Sequence, residues 1–221
     1  MLVKEWMSKK LITVDENTIM MKALRIMKDN RIRRLLVVKN RELVGIVTDR
    51  DLKEASPSKA STLDVHELYY LLSEIKVKDL MAKNPITIGP DESLEKAAAL
   101  MLENKISGLP VVENENLIGI ITQTDIFRAL TSLTGIYRGG IKIALDLPEI
   151  PGTTQAVINT IRKYGGRIMS VMTSYDLPEE GHRHVFVRAK YIEGKKLDRL
   201  LQELNKHFQV LYTVEDVLGA I

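Results

Sequence analysis

Apolar residues fall at helical spacing at Met20, Ala23, Leu24 and Met27, and again at Leu94, Ala97, Ala98 and Met101. Each set predicts an amphipathic helix, and Asp91 or Ser93 is placed to cap the second. A short Thr-containing extended segment precedes each helix, at residues 12–14 and 86–88. A strand rich in β-branched residues follows each one, at 35–38 and 109–112, and an Asn-containing turn leads to another strand, at 43–47 and 117–121. A second helix is predicted near Asp51 and near Asp125. One such β-α-β-β-α unit cannot cover both faces of its small sheet, whereas two packed sheet to sheet can.

The two units are copies. Val3-Lys4-Glu5-Trp6-Met7 returns as Val77-Lys78-Asp79-Leu80-Met81, Ile12-Thr13-Val14 as Ile86-Thr87-Ile88, and Gly45-Ile46-Val47-Thr48 as Gly119-Ile120-Ile121-Thr122. The offset is 74 throughout, without a gap across about 51 positions, of which about 20 are identical. Between the copies, residues 55–61 are turn-rich and Pro57 interrupts any helix continuing from Leu52. Residues 62–75 then read as a helix with Leu68, Leu71, Leu72 and Ile75 as its apolar stripe.

The paired segments Gly45 to Asp51 and Gly119 to Asp125, each preceded by a Leu-Leu-Val-Val or Leu-Pro-Val-Val strand, resemble a tandem CBS-domain module over residues 1 to about 130. The resemblance implies a disc of two motifs, 1–54 and 77–134 joined by a helix-bearing linker at 55–76, with clefts that bind AMP, ADP, ATP or S-adenosylmethionine.

Gly139-Gly140 marks a boundary, and residues 139–217 follow a new plan. Strands are predicted at 141–147, 167–175, 184–190 and 208–214, with helices at 153–164 and 194–206. Val157, Ile158 and Ile161 form the buried stripe of the first helix, and Leu197, Leu200, Leu201 and Leu204 that of the second. The order βαββαβ is the ferredoxin-like plan, so the expected class is α/β (α+β): a CBS pair plus a small sheet domain. The loop Glu149-Ile150-Pro151-Gly152 resembles the acidic-x-Pro-Gly turn of ACT domains. That resemblance implies an amino-acid site near Glu149, Pro151 and Gly152, or dimerisation. The whole arrangement resembles the acetoin-utilisation AcuB proteins.

The chemistry centres on two carboxylates. An ionised Asp offers acceptors for both hydroxyls of a ribose, and Asp51 and Asp125 are placed for that role. Thr48 and Thr122 sit three residues earlier, where a helix N-terminus would favour a phosphate. The family places adenine near Thr13-Val14 or Thr87-Ile88. Against this, Thr-x-x-Asp is also a helix capping box, and both roles can coexist in an empty site.

The copies differ in charge. Arg33, Arg34 and Arg50 of the first become Ser107, Gly108 and Thr124. The first cleft, with Leu35 beside these arginines, is therefore expected to take the more phosphorylated ligand. The second is expected to take a less charged adenosyl compound, or to act through backbone at Ser107, Gly108, Leu109 and Pro110.

Composition narrows the classes. The 221 residues are 45% hydrophobic and 28% charged, enough for packed cores. With no Cys, disulfides and thiol catalysis are excluded. No apolar run approaches the roughly 18 residues of a membrane span, and residues 1–10 lack the apolar region of a signal peptide, so a cytoplasmic protein is expected. A net charge of +3 does not argue for nucleic acid, nor does Arg31 to Arg34 without a recognised motif. His182 and His184 could pair on a metal, but no third ligand is evident; no nucleophile–base constellation or phosphate loop appears. The expectation is a non-enzymatic regulatory protein without metal or catalytic cofactor. It would bind an adenosyl ligand, with an amino acid as a second candidate, and form a homodimer. The rivals are a nucleotide-independent scaffold for a protein partner and an enzyme of acetoin or nucleotide metabolism.

Overall fold

The computed structural model describes residues 1–55, 74–176 and 178–215. Two compact units divide the chain, Met1–Ile126 and Phe127–Ile221. The expected Pro57 break, most of the 62–75 helix and the end of the last domain at 217 lie outside the described residues.

In the first unit, α1 (Val3–Trp6), β1 (Thr13–Asp15), α2 (Met20–Asp29), β2 (Arg34–Lys39), β3 (Glu42–Thr48) and α3 (Asp49–Glu54) form the first repeat. The second repeat has α4 (Val77–Leu80), β4 (Ala82–Lys83), α5 (Leu94–Glu103), β5 (Gly108–Glu113), β6 (Asn116–Thr122) and α6 (Gln123–Thr134). Both hairpins close on two residues of positive φ, Asn40-Arg41 at 50° and 73° and Asn114-Glu115 at 48° and 67°. That is the primed turn whose twist suits adjacent antiparallel strands, and Asn tolerates it well. β1 runs parallel to β2 with Thr13 opposite Leu36, and β2 runs antiparallel to β3 with Arg34 opposite Thr48. In the second repeat Gly108 stands opposite Thr122, and the extended segment is reduced to a parallel bridge, Ile88 to Val111. Ser93 caps α5, accepting from the Lys96 N–H at 3.1 Å, while Asp91 pairs instead with Lys4 at 2.6 Å.

The leaders of the repeats are exchanged. The Val3 and Lys4 N–H groups donate to Glu92 and Pro90, and Ser8 exchanges two backbone hydrogen bonds with Ile120. Reciprocally, the Val77 and Lys78 N–H groups donate to Thr18 and Glu16, and β4 pairs with β3. Val77 is accordingly buried in the core of the first repeat, among Val14, Met20, Ala23, Met27, Leu35, Val37, Val47 and Leu52. A glycine receives each leader. A Cβ on Gly45 would run into the Met81 side chain and stand 3.0 Å from the Ala82 carbonyl oxygen; one on Gly119 would meet Met7 and stand 3.2 Å from that of Ser8.

The second unit contains β7 (Ile141–Pro148), α7 (Thr153–Lys163), β8 (Arg167–Ser174), β9 (His182–Lys190), α8 (Lys195–Asn205) and β10 (Gln209–Glu215). The strand order is β10-β7-β9-β8, all antiparallel. Alternate residues of β7 and β9, from Ile141 to Leu147 and from Val185 to Ala189, pack with Val157, Ile161, Leu200 and Leu204 in one core. Each fully buried Val, Leu or Ile among them is worth about 1.5–3 kcal/mol. Helix α7 begins at Gly152, whose φ of 91° only glycine adopts readily. Thr153 does not cap it: its hydroxyl donates back to the Ile150 carbonyl at 2.9 Å.

Candidate functional site

Strand register brings the predicted residues of each repeat together at one sheet end. The start of β1 (Thr13), the start of β2 (Arg34) and the end of β3 (Thr48) lie on neighbouring strands at the same edge. Helix α3 starts there. Thr87, Gly108 and Thr122 are set equivalently around Ile88. Val14 and Ile88 are buried in the sheets, whereas Thr13 and Thr87 are exposed. Leu35 and Leu109 are fully buried, which leaves only their backbone to a ligand, and Pro110 is buried too.

The carboxylates are engaged in caps. Asp51 Oδ2 accepts both the Thr48 N–H and its hydroxyl at 2.7 Å, and the Asp51 N–H donates to Thr48 Oγ1 at 3.3 Å. Asp125 Oδ2 likewise accepts the Thr122 N–H at 3.0 Å and its hydroxyl at 2.6 Å. In both boxes the bonds converge on one carboxylate oxygen, and an ionised carboxylate has about four acceptor positions. Asp51 is half-buried and Asp125 is 9% exposed.

The arginines part company. Arg33 and Arg50 are exposed, and Arg50 is paired with Glu54 at 2.6 Å. Arg34 instead crosses to the second repeat, where Nη2 donates to Ser107 Oγ at 2.7 Å. A Cβ on Gly108 would collide with its guanidinium. Burial pulls the Arg34 guanidinium below its ordinary pKa, Asp125 and Asp49 oppose that shift, and neighbouring Arg33 adds to it. Position 34 aligns with position 108, so the sequence did carry a signal for this contact: one repeat has arginine where the other has the glycine that receives it. Sequence reasoning placed Arg34 in the first cleft alone and so missed its reach.

In the second unit, Glu149, Pro151 and Gly152 are exposed in a tight turn in which the Glu149 N–H donates to Gly181 at 2.8 Å. Among the described residues of this unit, one cavity of about 140 Å³ is lined by Lys142, Ser170, Met172, Phe186 and Arg188 among others, and another of about 310 Å³ by Arg138, Tyr191, Glu193 and Glu215 among others. Neither includes the turn. His182 and His184 flank Asp146, with His182 Nδ1 2.8 Å from Oδ2 and His184 Nε2 3.8 Å from Oδ1. No group of three or more His, Asp or Glu among the described residues is arranged to hold a metal ion. No helix among the described residues is long and apolar enough to cross a membrane.

Comparison with known proteins identifies the first unit. The family profile described as CBS domain matches residues 3–58 and 77–132. A CBS domain-containing protein of Dictyostelium discoideum is 38% identical over 131 residues, 58% of this chain and 90% of the relative. An inosine-5′-monophosphate dehydrogenase of Korarchaeum cryptofilum is 37% identical over 118 residues, 53% of this chain but only 22% of the enzyme. Among solved structures, one assigned to an acetoin utilization protein (AcuB) of Vibrio cholerae is 27% identical, covers 62% of this chain and 96% of its own, and has a TM-score of 0.52. The CBS-pair protein CBSX2 of Arabidopsis thaliana is 31% identical, with 58% and 93% covered and a TM-score of 0.50; that protein has also been crystallised with AMP.

Proposed function

Because the chain belongs to the CBS-domain family, we propose that it is a regulatory sensor of an adenosyl ligand, AMP, ADP, ATP or S-adenosylmethionine, and not an enzyme. One observation carries the reading. The same Thr–carboxylate box recurs at the strand-to-helix turn of both repeats, with the bonds gathered on Oδ2 of Asp51 and of Asp125. In each cleft the carboxylate would hold the ribose hydroxyls and the helix start would face a phosphate. Backbone near Thr13-Val14 or Thr87-Ile88 would receive the adenine. CBSX2 binds AMP, and its 31% identity to this chain is consistent with such a ligand.

The second unit, with its βαββαβ order and Glu149-Pro151-Gly152 turn, is read as an ACT-type domain that takes an amino acid or joins two copies of the chain. Ligand in the first unit acts on it only by binding one of two states more tightly than the other.

The test is a thermal-shift panel of adenosyl compounds and amino acids on the purified chain. A ligand at about 100 times its dissociation constant adds about 2.7 kcal/mol to the stability of the folded state. A shift with an adenosyl compound that disappears when both Asp51 and Asp125 are replaced by Asn supports the sensor. No shift with any compound favours a scaffold that holds a protein partner, and consumption of the ligand favours an enzyme.

A further inference from the structure

The two clefts are not equivalent, and the asymmetry runs against the distribution of charge along the sequence. The first repeat holds the arginines, yet the Arg34 guanidinium lies on the second repeat, on Ser107 Oγ and over Gly108. Gly108 stands opposite Thr122 in the β5–β6 ladder. Thr122 in turn is bonded to Asp125, so the cation sits beside the second Thr–Asp box, within the field of its carboxylate. Alignment of the repeats offers no counterpart in the first cleft. The residue equivalent to Arg34 is Gly108, which has no side chain to send back. Arg50 is tied to Glu54 in an exposed pair.

We propose that Arg34 is the charge-selecting residue of the second cleft, which therefore takes a 5′-phosphorylated adenosine, while the first cleft binds adenosyl compounds with little regard to phosphate. The inference rests on the sensor reading above. Its chemistry is direct. A guanidinium presents several N–H donors in a planar fork and pairs with phosphate through two of them. One of those donors is held by a neutral hydroxyl, Ser107 Oγ, a partner weaker than a phosphate oxygen because ionised acceptors form hydrogen bonds about twice as strong. The same fixed positive charge repels the sulfonium of S-adenosylmethionine. Adenosine, which lacks the phosphate, leaves Arg34 on Ser107 and gains nothing from it.

The experiment is isothermal titration of the full chain with AMP, adenosine and S-adenosylmethionine. Each cleft is read separately by silencing the other with Asp51→Asn or Asp125→Asn. In the Asp51→Asn background, Arg34→Gln is expected to weaken AMP about tenfold or more, to weaken adenosine far less, and to improve S-adenosylmethionine. Arg34→Lys, which keeps the charge without the fork, should recover part of the AMP affinity. In the Asp125→Asn background, Arg34→Gln should change the AMP-to-adenosine ratio little. An unchanged ratio at the second cleft, or an equal loss at both clefts, overturns the proposal and leaves the sensor reading standing. Absence of binding by all three compounds to the unaltered chain overturns both.

Discussion

Replacing Asp51 separates its two roles. The carboxylate accepts the Thr48 N–H and hydroxyl, both at 2.7 Å. Asp51→Ala removes the oxygen that accepts both and strands an N–H at the start of α3, at a cost of about 1–2 kcal/mol. Asp51→Asn keeps one carbonyl oxygen for the box and should cost about 0.5 kcal/mol or less. At the equivalent position the Asp125→Ala loss should lie at the upper end of that range, because Asp125 is only 9% exposed. Ligand binding is expected to follow a different order. A ribose diol held by an ionised carboxylate loses its charge-assisted acceptors in either variant, so AMP affinity at that cleft should fall about 10- to 100-fold in Asn and Ala alike. Urea unfolding reads the first effect and calorimetric titration the second. Two results refute the reasoning: Asn as destabilising as Ala, which removes the capping argument, and Asn binding AMP like the unaltered chain, which removes the ribose argument.

Two further predictions concern the frame around the clefts. Gly119→Ala and Gly45→Ala each push a methyl into a methionine and a nearby backbone oxygen; each should cost about 1–2 kcal/mol, and pairing Gly119→Ala with Met7→Ala should cost less than the sum of the two single changes in a double-mutant cycle of urea midpoints. The Lys53 hydrogen bond holds the Asp49 carboxyl below its ordinary pKa, so its small contribution to stability is present above the ordinary carboxylate value and is lost as pH falls through the lowered one. The difference in urea midpoint between the unaltered chain and Lys53→Met should therefore shrink between about pH 6 and about pH 2.

Local features of the fold were legible because local physics decides them. Helical spacing marked α2 and α5, Asn40 and Asn114 marked turns that need positive φ, and Ser93 marked a cap. The Thr–Asp boxes were equally readable, since a box spans only four residues. What could not be read is long-range. Nothing in the periodicity of Val77 says whose core it enters, and the structure sends it to the first repeat. Arg34 reads from its neighbours as a first-cleft residue; only the long-range contact that lays its guanidinium on Ser107 and over Gly108 gives it to the second. The start of α7 is set by Gly152, which supplies the backbone turn, while the Thr153 hydroxyl is used within the loop.

The exchange of leaders bears on how such a chain can be taken apart. A fragment carrying one repeat keeps a methionine with no glycine beneath it and a glycine with no methionine above it. Two copies of that fragment can supply both, because the 74-residue offset makes each half a stand-in for the other. Severed halves should therefore find partners rather than persist singly. In the intact chain the same embrace means that loosening one leader unfastens the sheet edge of its neighbour. The two Thr–Asp boxes thus share a mechanical seam.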